Sequence, residues 1–84
     1  MERIRDDRLL LLYKIENFKR ETVHEEWLDK KGKIVGEFTI GTTLQFLTTD
    51  NVFIETSTIA DFCITASGYM VETQNSCYYF TDKM

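Results

Sequence analysis

The chain contains no proline, one histidine and only two cysteines among its 84 residues. Two cysteines are too few for the disulfide framework that stabilises small secreted domains. The longest apolar run, Leu9 to Tyr13, is far shorter than the roughly 18–20 residues that a membrane span requires. The run is also too short for a signal peptide, and no small-residue cleavage site follows it. We therefore expect a mature cytoplasmic protein that does not contact a membrane.

Lysine and arginine are absent between residues 34 and 82, a stretch that carries six acidic residues. Nine of the ten basic residues lie instead in residues 1–33, and the formal net charge of the whole chain is −4. Contacts to phosphate groups require Lys or Arg. We therefore expect no direct binding of nucleic acid through the acidic part of the chain.

Natural sheets protect their edges with Lys, Pro or bulges, and residues 34–82 contain no Lys, Arg or Pro. The sheet edges must then be covered by a helix of the same chain, by closure into a small barrel, or by another chain. Self-association is an economical solution for so short a chain, because it adds buried surface. The alternative is that acidic, Thr-rich strands repel one another sufficiently.

The composition predicts a single domain, residues 1–84, with a mainly helical segment at 1–28 and an antiparallel sheet at 29–84. Leu11, Ile15 and Phe18 fall at helical spacing, with Leu12 on the same flank. Residues 12–18 also partly alternate, so a strand is the competing interpretation. We expect the helix to lay these four apolar side chains across one face of the sheet.

From residue 29 onwards the pattern predicts strands, because Thr, Ile, Val, Phe and Tyr dominate. The segment Asp29–Gly32 indicates a turn, with Gly32 in a left-handed conformation. Six strands are predicted, at about 34–40, 44–48, 52–56, 59–65, 69–73 and 77–81. The fold class expected from the sequence is therefore α+β, an N-terminal helix packed on an antiparallel meander of five or six strands.

The sequence predicts no catalytic residues, no metal site and no cofactor. His24, Cys63 and Cys77 are the only soft metal ligands, and zinc sites usually show four ligands with closely spaced cysteine pairs. The two cysteines fall on strands that are two apart, about 9–10 Å, which is too far for a disulfide. We expect free, half-buried thiols, whose acidic surroundings disfavour the thiolate.

Aromatic residues are numerous in the predicted strands, and core packing is their expected role. Tyr78 and Tyr79 are consecutive, so one of them must face away from the core and is available to a partner. With the carboxylates of Glu55, Asp61 and Glu72, these tyrosines are the predicted partner-binding residues.

The segment Thr73–Phe80, with its pattern Thr-x-Asn-Ser-x-Tyr-x-Phe, lies downstream of Thr56–Ile59 and Gly68. It resembles the terminal hairpin of small uncharacterised proteins encoded by bacterial phages and mobile elements. The resemblance covers the C-terminal hairpin only. It implies a bacterial or phage origin and a small accessory or inhibitory role, with no catalytic residues.

These observations predict a non-enzymatic, acidic protein-binding module that acts as an accessory or inhibitory protein. The expected partner is a protein, either a host factor or a second copy in a homo-oligomer, bound through a sheet edge or an acidic sheet face. One alternative is a phage-encoded anti-defence inhibitor, of the anti-CRISPR kind, that blocks a nucleic-acid enzyme with its acidic sheet. Another is a small-molecule binder at a subunit junction.

Overall fold

The computed structural model describes residues 3–84, and the regular secondary structure of these residues is almost entirely antiparallel strand. The only helix among these residues is a single 3₁₀ turn at Glu25–Trp27. The nine strands are β1 (Ile4–Arg5), β2 (Leu10–Asn17), β3 (Lys30–Ile34), β4 (Glu37–Phe38), β5 (Gln45–Thr48), β6 (Phe53–Glu55), β7 (Ile59–Ile64), β8 (Gly68–Thr73) and β9 (Ser76–Thr81).

Seven strands form one sheet in the order β6-β5-β3-β2-β9-β8-β7, and β1 pairs with β4 in a separate ladder. The sheet curls into a half-barrel, so its concave face encloses the core and its convex face points outward. Strands β6 and β7 form the two edges although they are consecutive in the chain. The start of β7 is joined instead to the segment between β4 and β5, because the N–H of Ile59 donates to the carbonyl of Thr42 at 2.8 Å and the N–H of Gly41 donates to the carbonyl of Ile59 at 2.9 Å.

The predicted α+β fold, with a helical segment at residues 1–28 packed on the sheet, is wrong. Residues 10–17 form β2, the central strand, which pairs with β3 on one side and β9 on the other. The first two residues of the predicted helical segment lie outside the described residues. The predicted start of the sheet at residue 29 is therefore too late.

A β-bulge explains why β2 carries a helix-like pattern. The pairing of β2 with β9 shifts register between Leu12 and Lys14, and both Tyr13 and Lys14 are exposed. The fully buried side chains of this strand are Leu10, Leu12 and Ile15. Their spacing is two and then three positions, and a spacing of three also occurs on a helix face. In a strand, the extra residue of a bulge produces the same spacing.

The apolar face predicted for the helix is divided in the structure. Leu12 and Ile15 are buried in the core, whereas Leu11 faces outward and is half-buried. Phe18 is 61% exposed, in the turn that follows β2. That turn is held by Asn17, whose side-chain oxygen accepts hydrogen bonds from two backbone N–H groups.

The last five predicted strands correspond to β5 through β9, whereas the first is displaced. Strand β3 occupies Lys30–Ile34, and only the short β4 lies within residues 34–40. Asp29, with a φ of 62°, adopts the left-handed conformation that was assigned to Gly32. Gly32 lies inside β3, where a Cβ would lie 2.3 Å from the carbonyl oxygen of Leu47.

The core fills the concave side of the half-barrel. It consists of Leu10, Leu12, Ile15, Ile34, Phe38, Leu44, Phe46, Ile54, Ile59, Tyr69, Val71, Tyr78 and Phe80. Phe38 of β4 covers the side next to β7, with its ring edge-on to Phe62 at 5.4 Å and to Tyr69 at 5.5 Å. Each fully buried side chain of this size contributes about 1.5–3 kcal/mol.

A charged network attaches the N-terminal segment to the end of the sheet. The carboxylate of Asp6 accepts hydrogen bonds from the guanidinium of Arg8 and from the hydroxyl of Tyr69. Arg8 also donates to Asp82, just beyond β9, at 2.6 Å. The network ties residues preceding β2 to β8 and to the C-terminal segment.

Candidate functional site

The structure decides which of the two consecutive tyrosines is available to a partner. Tyr78 is 4% exposed and belongs to the core, so its predicted partner-binding role is wrong. Tyr79 faces outward and is half-buried. Its ring lies beneath the ammonium of Lys14, 5.2 Å from the ring centroid, and its hydroxyl lies 3.4 Å from a carboxylate oxygen of Glu16.

Two of the predicted carboxylates lie together on the convex face. Asp61 of β7 is the cross-strand partner of Glu72 of β8. Glu72 in turn pairs with Cys77 of β9, which pairs with Glu16 of β2. Glu16, Glu72 and Asp61 therefore form one transverse line of carboxylates, hereafter the acidic row. Glu16 was not predicted, because its placement depends on β2 being a strand.

The acidic row changes the chemistry of the thiol that it surrounds. Burial, followed by the nearby carboxylates of Glu72 and Glu16, raises the pKa of Cys77. Both cysteines are free, as predicted, although only Cys77 is half-buried and Cys63 is exposed. A thiol whose pKa is raised is a poor nucleophile at neutral pH.

Glu55 does not join the acidic row. It lies on β6, at the opposite edge of the sheet from Asp61. One of its carboxylate oxygens accepts hydrogen bonds at 3.0 Å from the side chains of Gln45 and Thr43. These hydrogen bonds, first from Gln45 and then from Thr43, lower the pKa of Glu55.

An apolar surface that was not predicted lies at this opposite end of the convex face. Lys33, Leu47 and Phe53 are cross-strand partners on β3, β5 and β6. Leu9 precedes Leu10, whose partner is Gly32, and so extends the same line toward β2. Leu9, Leu47 and Phe53 are 39%, 42% and 54% exposed.

These side chains border a shallow depression of about 290 Å³, hereafter the outer groove. The outer groove is lined by Leu9, Gly32, Lys33, Val35, Leu47, Thr48, Thr49 and Asn51. Three of these residues are exposed aliphatic side chains, and Phe53 stands directly beside Leu47. Contiguous apolar exposure of this kind is typical of protein interaction sites.

Two lysines without an ion-pair partner in residues 3–84 stand beside the outer groove. Lys31 and Lys33 point outward on β3, on either side of the inward-facing Gly32. Neither lysine forms an ion pair with any residue from 3 to 84, whereas Lys30 binds Asp50 at 2.6 Å. The sequence predicted a turn at Asp29–Gly32, not a strand. It therefore did not indicate that Lys31 and Lys33 lie on the same face of a strand.

The β7 edge is partly protected by its own side chains. In an antiparallel strand, every second residue forms backbone hydrogen bonds with the neighbouring strand. The N–H of Thr65 donates to the carbonyl of Gly68 at the start of β8, so the backbone groups at the odd-numbered positions from 61 to 65 face β8. Phe62 and Ile64 therefore direct their backbone groups away from the sheet. The carboxylate of Asp61 accepts the N–H of Phe62 at 2.9 Å, and the thiol of Cys63 donates to the carbonyl of Ile64 at 3.8 Å.

The chain matches no protein-family model, no curated protein and no solved structure.

Within residues 3–84, no group of three or more His, Cys, Asp or Glu side chains is arranged to hold a metal ion. His24 is exposed and stacks on the ring of Trp27, with centroids 4.4 Å apart. No helix in the described part of the chain has the length and hydropathy to cross a membrane.

Proposed function

We propose that this chain is a non-enzymatic protein-binding module that contacts its partner through the outer groove. The observation that carries the proposal is the line formed by Lys33, Leu47 and Phe53 across three neighbouring strands, extended by Leu9 just before β2. Three exposed apolar side chains in that line supply buried area on binding, and the lysine supplies orientation. Protein interfaces commonly have apolar contacts at their centre and polar or charged groups at their rim.

The chemistry of the groove defines the kind of partner segment that it binds. Covering the exposed side chains of Leu47 and Phe53 with apolar groups of a partner stabilises the complex. Lys31 and Lys33, which have no carboxylate partner among the described residues, favour acidic groups at the edge of that contact. The partner segment is therefore apolar at its centre and acidic at its flank.

The acidic row supports inhibition of a nucleic-acid enzyme less well. Duplex DNA carries one negative charge per about 1.7 Å of its axis, whereas neighbouring strands are about 4.8 Å apart. The row is further weakened because the ammonium of Lys14 lies 3.5 Å from the carboxylate of Glu16.

A displayed library of random peptides tests the proposed function. Selection against the folded protein should enrich peptides that combine apolar and acidic residues. Fluorescence anisotropy then measures the dissociation constants of the enriched peptides for the wild type and for Leu47→Ser and Phe53→Ser. Loss of a central apolar contact should weaken binding at least about tenfold.

The matched control is Ile64→Ser. Ile64 is 56% exposed, close to the 54% of Phe53, but its strand lies at the opposite edge of the sheet. This control should bind the enriched peptides like the wild type. Equal binding by Leu47→Ser, Phe53→Ser and the wild type would overturn the proposal, as would a failure to enrich any peptide.

A further inference from the structure

We infer that the partner segment of the outer groove is the acidic row of a second copy of this chain. The inference rests on the proposed function, because it identifies the occupant of the same groove. The fold places Lys31 and Lys33 beside the outer groove and Asp61 and Glu72 in the acidic row, both on the convex face. The two surfaces therefore carry opposite charges.

The two surfaces lie at opposite ends of the sheet. The outer groove is built on β3 and β5, next to β6, whereas the acidic row ends on β8 and β7. Glu16, the member of the acidic row nearest to the groove, lies near the end of β2, whereas Leu9 of the groove immediately precedes the start of that strand. Because both lie on the outside of a curled sheet, they point away from each other and cannot meet within one chain.

The charges on each surface are available for pairing between copies. Within residues 3–84, Asp61 and Glu72 form no ion pair with a Lys or Arg. Lys31 and Lys33 form none with an Asp or Glu of the same residues. The carboxylate of Asp61 makes one hydrogen bond, to the neighbouring N–H of Phe62. Two lysines and two carboxylates are thus left to complement one another across an interface.

Apolar side chains accompany the charges on both surfaces. On the acidic side, the next line across the sheet contains Tyr79 and Met70, which are cross-strand partners and half-buried. On the other side stand Leu47 and Phe53. Contact between the two surfaces would remove these side chains from water while placing lysine beside carboxylate, an arrangement that also sets register.

Contact between two different surfaces leaves one unused surface at each end of the assembly. Such head-to-tail association either closes into a ring or continues into a chain. The attraction depends on exposed charges, which salt screens over a Debye length of about 8–10 Å. The molar mass in solution should therefore rise with protein concentration and fall as salt is added.

Light scattering on two charge-reversed variants tests the inference. Lys31→Glu/Lys33→Glu makes both surfaces acidic, and Asp61→Lys/Glu72→Lys makes both basic. Each variant alone should be monomeric at concentrations where the wild type associates. An equimolar mixture should associate again, because every groove then faces a row of opposite charge.

A third variant separates the charges of the two surfaces from the net charge of the chain. It combines Lys31→Glu/Lys33→Glu with Glu25→Lys/Glu26→Lys, whose positions lie in the exposed 3₁₀ turn, and so keeps the net charge of the wild type. Because both of its surfaces are acidic, it should stay monomeric. Far-ultraviolet circular dichroism of each variant establishes that it is folded.

A wild type that stays monomeric at low salt and millimolar concentration would overturn the inference, as would a monomeric mixture of the two folded variants. Association of the third variant to the same extent as the wild type would overturn it too, because the charges of the two surfaces would then not matter. If selected peptides still occupy the groove in these cases, the proposed function stands and only the identity of the partner is wrong.

Discussion

The hydroxyl of Tyr69 donates a hydrogen bond to the carboxylate of Asp6, across 63 residues of chain. This contact joins the segment before β2 to the start of β8. The side chain of Asp6 is only 8% exposed and is also held by the guanidinium of Arg8 at 2.8 Å. Arg8, followed by Tyr69, holds the pKa of Asp6 well below its usual range against the opposing effect of burial.

Removing the Tyr69 hydroxyl should lower the stability of the fold. Tyr69→Phe leaves the nearly buried carboxylate of Asp6 with one donor fewer. A hydrogen bond to a charged group contributes about 1.5–3 kcal/mol, so the free energy of unfolding in urea should fall by about that amount. Tyr13→Phe, on an exposed side chain, is the control and should change it little.

The same network predicts a dependence on pH. Because the pKa of Asp6 is lower in the folded than in the unfolded chain, its contribution is complete above the ordinary pKa of about 3.9. The contribution is lost as the pH falls below that value. Urea titrations should show a steeper loss of stability below pH 4 in the wild type than in Asp6→Asn. Parallel curves would contradict the role assigned to Asp6.

Phe38 and Phe18 should differ sharply when each is shortened to alanine. Phe38 is 1% exposed and packs edge-on against two aromatic rings, whereas Phe18 is 61% exposed. Phe38→Ala should cost about 3–5 kcal/mol, and Phe18→Ala less than about 0.5 kcal/mol. Thermal or urea unfolding measures both. A large loss for Phe18→Ala would instead favour the helix that the sequence predicted.

Gly68 should not tolerate a side chain. A Cβ at this position would lie 2.1 Å from the carbonyl oxygen of Phe80 on the neighbouring strand, so Gly68→Ala requires β8 and β9 to separate. We expect a loss above about 2 kcal/mol in urea unfolding. Gly41→Ala is the comparison, because Gly41 has open space and only a positive φ of 95°. Its cost should be about 1–2 kcal/mol, and a reversed order would contradict the close strand approach.

The two thiols should react at different rates with a disulfide reagent such as DTNB. In Cys77→Ser only the exposed Cys63 remains, and in Cys63→Ser only the half-buried Cys77 remains. The raised pKa of Cys77 and its burial should make it slower at pH 8 by at least about tenfold. Adding Glu72→Gln to Cys63→Ser should speed the reaction, because Glu72 helps to raise that pKa. An unchanged rate would show that burial alone is responsible.

Several features of the protein follow from the sequence by itself. The strands from β5 to β9 were predicted because Thr, Ile, Val, Phe and Tyr dominate this part of the sequence, and these residues fit a pleated sheet. The free thiols followed from the separation of Cys63 and Cys77, and the division of charge was visible by counting. These properties depend on residues close together in the chain or on residue type alone.

Only the tertiary structure decided the rest, because it depends on pairing between distant residues. Pairing with β3 and β9 makes β2 a strand with a bulge beside Lys14, although the spacing of Leu12 and Ile15 suits a helix equally well. Tyr78 and Tyr79 exchange faces with a shift of one residue in register, and pairing with β2 places Tyr79 outward. The outer groove and the acidic row likewise exist only because strands far apart in sequence lie side by side in one curled sheet.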